Sequence, residues 1–207
     1  MKILIYFEYS NFVLRILFKM DDILLVDEDN NPIGTGEKMD VHKRGVLHRA
    51  FSVLVYNSKR EMLLQRRAAS KYTCPGLWSN ACCSHPCPGE HLLMAAKRRL
   101  EEEMGISIPL KEAGVEFIYK VKIGDLTEHE YDYLLYGRFD GKPRLNPEEA
   151  DDWKWISFDD LRRDMKADPE AYTPWFRLIV SQGDNQVDQI PVPRLEKYRI
   201  NKLEAYG

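Results

Sequence analysis

The sequence has no excess of positive charge. Its 207 residues include 30 Lys and Arg against 33 Asp and Glu, which leaves a formal net charge of -3. A protein that binds nucleic acid along its surface needs a strongly basic face, because it must neutralise many phosphates. The composition therefore excludes a nucleic-acid scaffold, and any phosphate contacts must be few and local.

Cysteine is scarce and unevenly placed. The four cysteines are crowded into one short stretch, at Cys74, Cys82, Cys83 and Cys87. This crowding cannot provide a framework of disulfides spread across a fold. We therefore expect reduced thiols and a cytoplasmic location.

The chain also lacks a long uninterrupted apolar run. The apolar stretch between Lys2 and Met20 contains Glu8, Arg15 and Lys19, so it is too short and too charged to span a membrane. It shows no small-residue cleavage site of a secretory signal. We expect residues 1–19 to form an N-terminal extension of unknown role, residues 20–183 to form one globular domain, and residues 184–207 to form a polar tail that ends in a short helix from Pro193 onward.

Apolar segments separated by turn signals predict a mixed, largely antiparallel sheet. Between the second hairpin and the first long helix lies a proline-rich stretch, which we expect to be a long functional loop without regular structure. The helix after it has Leu93, Ala96, Leu100 and Met104 at steps of three and four and is closed by Gly105. The predicted strands are 23–27, 50–56, 61–65, 117–123, 129–139 and 153–156, and the predicted helices are 90–104, 157–166 and 174–181.

The helix predicted over residues 90–104 carries a pattern that resembles the Nudix box. Two positions depart from it, because Ser84 stands in place of the first glycine and Arg99 replaces the glutamate of an Arg-Glu pair. Arg99 lies one helical turn before Glu103 and so puts a positive charge where a carboxylate would lie. That suits holding a diphosphate better than cutting it; a solvated acidic helix face is the alternative. The matching positions are Glu90, Arg98, Leu100, Glu102, Glu103, Gly105 and Ile106.

The run Trp78-Ser79-Asn80-Ala81-Cys82-Cys83-Ser84-His85-Pro86 resembles the cysteine motif of type I isopentenyl diphosphate isomerases of the Nudix superfamily. The resemblance extends from about residue 22 to residue 181. It implies an α/β fold, the Nudix-type α/β/α sandwich around a mixed sheet, with residues 20–183 as the catalytic domain. It also implies a flavin-independent, metal-dependent enzyme of isoprenoid biosynthesis that converts isopentenyl diphosphate into dimethylallyl diphosphate.

The implied reaction protonates an unactivated alkene, and the resulting tertiary carbocation then loses a proton. This requires an acid and a base on opposite faces of the substrate, with water excluded. The resemblance assigns these roles to Cys83 and Glu130. A free cysteine is commonly only a small buried hydrophobe, but Cys83 lies in a polar stretch two residues from His85, and we expect the neighbouring Cys82 to be the structural one.

The resemblance implies two metal sites. One divalent cation, Mn²⁺ or Zn²⁺, would be bound by three imidazoles and two carboxylates, and a Mg²⁺ held by Glu103 would bridge to the substrate diphosphate. The i, i+2 spacing of Glu128 and Glu130 puts both carboxylates on one face of a strand, whereas His129 points away. A lone histidine is more often structural, as we expect for His91. The five ligands of the first site are His42, His48, His85, Glu128 and Glu130.

Further residues match positions that contact the substrate. Trp175 matches an aromatic ring that faces the carbocation, where its quadrupole favours positive charge by about 0.5 to 2 kcal/mol. Tyr119 matches a tyrosine near the glutamate pair, although an aromatic residue on a strand is usually a core residue. The positions matched to diphosphate binding are Lys38, Arg67, Lys71 and Arg99.

Two other interpretations remain open on the sequence alone. A Nudix hydrolase would cleave a nucleoside diphosphate derivative, but Arg99 and the cysteine motif count against it. A structural zinc module could use Cys82, Cys83, His85 and Cys87, although this cluster lacks a Cys-x-x-Cys pair and leaves the acidic motifs unexplained.

Overall fold

The computed structural model describes residues 22–182 and the backbone of residues 199–204. The strands are β1 (Asp22–Val26), β2 (Pro32–Glu37), β3 (His48–Tyr56), β4 (Met62–Arg67), β5 (Trp78–Asn80), β6 (Cys82–Ser84), β7 (Lys111–Ile123), β8 (Leu126–Arg138), β9 (Ala150–Ile156) and β10 (Arg199–Glu204). The helices are α1 (Lys38–Arg44), α2 (Leu92–Met104), α3 (Phe158–Ala167) and α4 (Pro174–Gln182), with a 3₁₀ turn at Pro169–Ala171.

The buried strand β3 organises the sheet. It pairs in parallel with β8 along its whole length, from His48 opposite Glu130 to Tyr56 opposite Arg138. Its other edge is shared by β1, β6 and β4, all antiparallel to it. The hairpins β1–β2 and β7–β8 and the pairs β4–β5 and β4–β9 are antiparallel as well. The predicted mixed, largely antiparallel sheet is confirmed.

Helices cover both faces of the sheet. On one face Leu100 and Met104 of α2 pack with Phe51 of β3. On the other face Leu161 of α3 and Phe176 of α4 pack with the side chains of β3 that point the opposite way, such as Leu54. Because alternate residues of a strand face opposite sides, one strand can serve both cores. This arrangement confirms the predicted α/β/α sandwich.

The residues that flank helix α2, Glu90 and Gly105, make specific contacts. Glu90 lies just before the helix, where its carboxylate accepts the backbone N–H of Cys87 at 3.0 Å and pairs with Nε and Nη2 of Arg98, each at 2.8 Å. Gly105 ends the helix with a φ of 64°, and a Cβ at this position would lie 2.7 Å from the carbonyl oxygen of Arg144. Only glycine fits this end of the helix without strain.

Four details differ from the sequence-based expectation. The stretch after β4 is not free of regular structure, because it contains the three-residue strands β5 and β6. The helix predicted from residue 90 begins at Leu92. Helix α1 was not predicted. Residues 199–204 do not continue a helix from Pro193, since they form strand β10, which pairs in parallel with β7.

The proposed N-terminal extension and most of the C-terminal tail lie outside the described residues, so their boundaries stay predictions. Among the helices that are described, none has the length and apolar character needed to cross a bilayer.

Candidate active site

The register of the sheet brings the predicted site residues together at one place. Glu130 of β8 lies directly opposite His48 of β3 on one side and opposite Tyr119 of β7 on the other. Cys83 of β6 lies opposite Ser52 of β3. Strands β6 and β8 both pair with β3, and β7 pairs with β8. These neighbouring strands present Cys83, Tyr119 and Glu130 to one pocket. Of the thirteen predicted site residues, twelve line it, namely Lys38, His42, Arg67, Lys71, Cys83, His85, Arg99, Glu103, Tyr119, Glu128, Glu130 and Trp175.

His48, the thirteenth, belongs to a tight cluster at the base of the same pocket. The nitrogen and oxygen atoms that could act as ligands all lie within 4.8 Å of one another, and four of the five residues are buried. Nε2 of His48 lies 3.2 Å from Nε2 of His85 and 3.5 Å from Oε1 of Glu130. The cluster consists of His42, His48, His85, Glu128 and Glu130, the set predicted from the sequence.

The orientation of the imidazoles fits a divalent cation. Nδ1 of His42 lies 2.6 Å from the carbonyl oxygen of Lys38, and Nδ1 of His48 lies 2.8 Å from that of Val46. An Nδ1 that donates to a carbonyl carries the proton, so Nε2 presents its lone pair to the cluster. Nε2 of His42 lies 2.9 Å from Oε2 of Glu128. Such a converging set of imidazole and carboxylate donors could hold a metal.

The carboxylate of Glu130 faces two ways. Its Oε1 lies 2.9 Å from Nε2 of His85, and its Oε2 accepts a hydrogen bond of 2.5 Å from the Tyr119 hydroxyl. Burial raises the pKa of Glu130, but its contacts with His48 and His85 outweigh burial and hold that pKa well below the usual range. Burial also lowers the pKa of His85 to about 3. An ionised carboxylate beside a neutral imidazole is the combination that metal ligation requires.

Cys82 and Cys83 point to opposite faces of β6. Cys82 is fully buried in the core under α2, whereas Cys83 packs on the other face and reaches the pocket. The Cys83 thiol donates to Oδ1 of Asn80 at 2.9 Å and lies 3.3 Å from Oγ of Ser52. Burial, followed by the negative charge of Asp132, raises the pKa of the Cys83 thiol well above its usual range. The pocket therefore favours the protonated sulfur.

The predicted phosphate-binding cations line the same pocket. Nε of Arg67 donates to the carbonyl oxygen of Thr73 at 3.2 Å. Nζ of Lys71 lies 2.6 Å from one carboxylate oxygen of Glu149, and a guanidinium nitrogen of Arg99 lies 2.9 Å from the other. The sequence interpretation missed Glu149. It stands in a connecting segment, with no motif around it to mark it.

Arg99 also engages the carboxylates of its own helix. Its guanidinium lies 2.9 Å from Oε1 of Glu103 and 2.6 Å from Oε2 of Glu102. The buried Gln65 donates to the other oxygen of Glu103 at 2.9 Å. Glu103 thus has a protein partner on each oxygen.

Trp175, at the start of α4, is 5% exposed, and the guanidinium of Arg67 lies 5.3 Å from its ring centroid. A cation thus already occupies one face of this ring, in the manner expected of a cation–π contact. Its indole N–H donates to Oγ of the buried Ser79 at 3.1 Å. The ring is thus held at its edge by Ser79, and Trp175 lines the pocket.

The zinc-module interpretation is not supported. In the part of the chain that the structure describes, the group of converging ligands contains no cysteine. Cys82 lies on the opposite face of the strand from Cys83. His129, expected to point away, contacts the carbonyl oxygen of Gly45 through Nδ1, and His91 caps α2 without a side-chain hydrogen bond.

Comparisons with known proteins agree with this architecture. The NUDIX domain family matches residues 46–176. Among solved structures, the protein DR0079 from Deinococcus radiodurans superposes with a TM-score of 0.64 at 18% identity, covering 78% of this chain and 98% of that one. The MutT protein from Methanosarcina mazei gives a TM-score of 0.55 at 21% identity, covering 67% of this chain and 93% of its own. Fold and site define a Nudix-domain protein.

Two sequence relatives place the chain more narrowly. The isopentenyl-diphosphate Delta-isomerase 2 of Aromatoleum aromaticum is 51% identical over 163 residues, which cover 78% of this chain and 86% of the relative. The isopentenyl-diphosphate Delta-isomerase of Serratia proteamaculans is 47% identical over 173 residues, which cover 82% of this chain and 96% of the relative. The chain therefore belongs to the isopentenyl-diphosphate Delta-isomerase family.

Proposed function

We propose that this protein converts isopentenyl diphosphate into dimethylallyl diphosphate, and that Cys83 and Glu130 move the protons. The observation that carries the proposal is a single pocket that brings together the Cys83 thiol, the Glu130 carboxylate and four cationic side chains. A diphosphate needs the cations, and an acid–base reaction on its hydrocarbon tail needs the other two groups.

The two proton transfers involve no change of oxidation state, and solvent afterwards returns a proton to the group that gave one and takes a proton from the group that gained one. One of the two groups gives a proton to the terminal carbon of the alkene, whose π electrons form the new C–H bond and leave a tertiary carbocation. The other group removes a proton from the adjacent methylene, and the released electron pair forms the new double bond. The thiol and the carboxylate come from different strands, β6 and β8, which suits an acid and a base that must approach opposite sides of a flat alkene.

Tyr119 and Trp175 support these steps. The hydroxyl of Tyr119 donates to Oε2 of Glu130 and fixes the carboxylate oxygen that is not directed at His85. Trp175 presents its ring to the region where the carbocation forms, which favours the charged intermediate by about 0.5 to 2 kcal/mol. With Trp175 and Tyr119 buried, little water can reach the cation and quench it.

Lys38, Arg67, Lys71 and Arg99 bind the diphosphate in this scheme. Arg67 and Arg99 supply planar guanidinium groups that match phosphate oxygens, whereas the two lysines act as point charges. Glu149 neutralises Lys71 and Arg99 before substrate arrives.

The finer metal assignments belong to the same proposal. The three imidazoles and two carboxylates suit Mn²⁺ or Zn²⁺, because these cations accept mixed nitrogen and oxygen ligands. Mg²⁺ at Glu103 would complete its shell with phosphate oxygens and water. Bound cations would supply electrostatic support to the carboxylates and the diphosphate. The four free thiols fit a reducing compartment, so we place the enzyme in the cytoplasm.

A hydrolase is the competing activity on this fold. It must activate water and break a phosphoanhydride, for which Nudix enzymes gather carboxylates that hold cations. Here Arg99 stands in place of one such carboxylate and lies 2.9 Å from Oε1 of Glu103, so fewer carboxylates gather at this site, which favours retention of the diphosphate.

The test measures which bond changes. The protein is incubated with isopentenyl diphosphate and divalent metal, without flavin, in deuterated water, and the products are analysed by NMR and phosphate release. The isomerase should give dimethylallyl diphosphate with deuterium on carbon, because both protons exchange with solvent through the side chains. Phosphate release without carbon-bound deuterium would instead identify a hydrolase, and absence of dimethylallyl diphosphate under varied metals would overturn the proposal.

A further inference from the structure

A chain of buried polar groups joins the Cys83 thiol to the Trp175 indole. The indole N–H donates to Oγ of Ser79 at 3.1 Å, and Ser79 Oγ donates to Oδ1 of Asn80 at 3.2 Å. The Cys83 thiol donates to the same Oδ1 at 2.9 Å. Ser79 and Asn80 are 1% and 0% exposed, and neither lines the pocket. They lie behind two groups that do.

The amide of Asn80 can adopt only one orientation. Its Nδ2 donates to the carbonyl oxygen of Val53 at 3.1 Å and to that of Cys82 at 2.9 Å. Because both carbonyls require donors, Oδ1 must face Cys83 and Ser79. The backbone of β3 and β6 thus fixes the acceptor that holds the sulfur.

The Ser79 hydroxyl is equally constrained. It has one proton, which it gives to Asn80, so it accepts from the Trp175 indole and from Oγ1 of Thr173 at 3.0 Å. Thr173 is buried and is tied to β5 through its backbone N–H, which donates to the carbonyl oxygen of Trp78 at 2.9 Å. Every hydrogen-bonding position of this hydroxyl is used, so it cannot turn without leaving a buried polar group unpaired.

We propose that Ser79 and Asn80 are positioning residues, which hold the Cys83 sulfur and the Trp175 ring in one fixed relation. The inference rests on the proposed function, in which Cys83 moves a proton and Trp175 faces the carbocation. The positive charge of the carbocation must form where the Trp175 ring can stabilise it. A small displacement of the sulfur or of the ring would therefore weaken that stabilisation. Ser52, 3.3 Å from Cys83 Sγ and hydrogen-bonded to the buried Asp132 at 2.7 Å, holds the sulfur from its other side.

A purely structural network would give a different result on substitution. It would dock α4 against β5 and contribute to stability, with no effect on the chemical step once the protein is folded. A positioning network predicts a lower kcat at an unchanged KM, because the diphosphate is bound by other side chains.

The experiment compares Ser79→Ala with Ser157→Ala in the full chain loaded with metal. Ser157 caps α3 by accepting the backbone N–H of Asp160 at 3.2 Å and does not line the pocket, so its loss should lower Tm alone. We expect Ser79→Ala to reduce kcat about 10- to 100-fold with KM changed less than about twofold. The indole N–H signal of Trp175 in a ¹H–¹⁵N spectrum, assigned through Trp175→Phe, should shift in Ser79→Ala and stay in place in Ser157→Ala.

A double-mutant cycle provides the second measurement. Phe at position 175 keeps an aromatic ring but has no N–H to be held, so Ser79→Ala should cost less in the Trp175→Phe background than in the wild type. Equal costs in both backgrounds, or a Ser79→Ala variant with wild-type kcat, would overturn the positioning role. If one of these two outcomes occurs while the wild type isomerises and Cys83→Ala is inactive, the inference fails and the proposed function stands. If Cys83→Ala retains full isomerase activity, the proposed function and the inference fail together.

Discussion

Cys82 and Cys83 separate packing from chemistry at the scale of single residues. Cys82 is buried under α2, and Cys83 reaches the pocket on the other face of β6. We predict that Cys83→Ala lowers turnover by at least about 100-fold, because a proton-transfer group is lost. Cys82→Ala should retain most turnover and lose about 1 kcal/mol of stability. Steady-state assays and thermal unfolding of both variants test this, and comparable turnover loss in both would point to a structural pair.

The two glutamates of β8 should also differ. Glu130 contacts both Tyr119 and the imidazole cluster, whereas Glu128 contacts His42. We predict that Glu130→Gln lowers kcat by about 100-fold or more, and that Glu128→Gln loses less. Metal content, measured by elemental analysis, should fall in each. Near wild-type turnover in Glu130→Gln would show that its proposed acid–base role is wrong.

The site residues that could be predicted from the sequence belong to recognisable motifs, whereas those that were missed do not. Motif residues could be matched one by one, so the cluster of histidines and glutamates was predictable before any geometry was known. Asp132 was missed, although it continues the i, i+2 series of Glu128 and Glu130 onto the same strand face. Ser52 was missed because a single polar residue among the apolar residues of β3 does not indicate a functional role. Its role becomes visible only when the structure places Cys83 opposite it.

At the scale of elements, the end of α2 offers a test of backbone strain. Gly105 and Gly124 have φ values of 64° and 59°, but a Cβ would meet the Arg144 carbonyl at 2.7 Å in the first case and nothing within 4 Å in the second. Both alanine variants incur the cost of a left-handed conformation, about 1 kcal/mol. We predict that Gly105→Ala is the more destabilising in urea unfolding by at least about 1 kcal/mol. Equal losses of unfolding free energy in the two variants would mean that the segment around Arg144 moves aside at no cost.

The elements that sequence analysis missed are short or decided by contacts far away in the chain. Helix α1 has only seven residues, and its N-cap is Glu37, whose carboxylate accepts the N–H groups of Met39 and Asp40. Strands β5 and β6 have three residues each and exist because β4 and β3 offer free edges to them. Long hairpins and the apolar stripe of α2 were predictable because their pattern repeats within the element itself.

At the scale of the whole molecule, the imidazole–carboxylate cluster ties α1, β3, β8 and the segment after β6 to one point. We predict that chelation abolishes activity and lowers Tm. A ligand at about 100 times its Kd contributes about 2.7 kcal/mol, or roughly 5 to 10 °C for a domain of this size.

The matched controls for chelation are two histidine variants. His42→Ala should already have the lower Tm and respond little to chelator. His129→Ala, which loses the contact to the Gly45 carbonyl, should respond as the wild type does. An unchanged wild-type Tm after complete metal removal would contradict a metal that links these elements.

The alternation of side chains in β6 has a consequence for how this sequence can tolerate insertions and deletions. Deletion of Ala81 would shift β6 by one residue, which would turn Cys82 away from the core and bury Cys83 beneath α2. Lengthening the turn at Gly124-Asp125, between β7 and β8, changes no face and leaves Tyr119 opposite Glu130. Insertions and deletions in this family should therefore occur mainly in hairpin turns. A design that transfers the site to another sheet must keep functional side chains of one strand an even number of residues apart if they share a face, and an odd number apart if they do not.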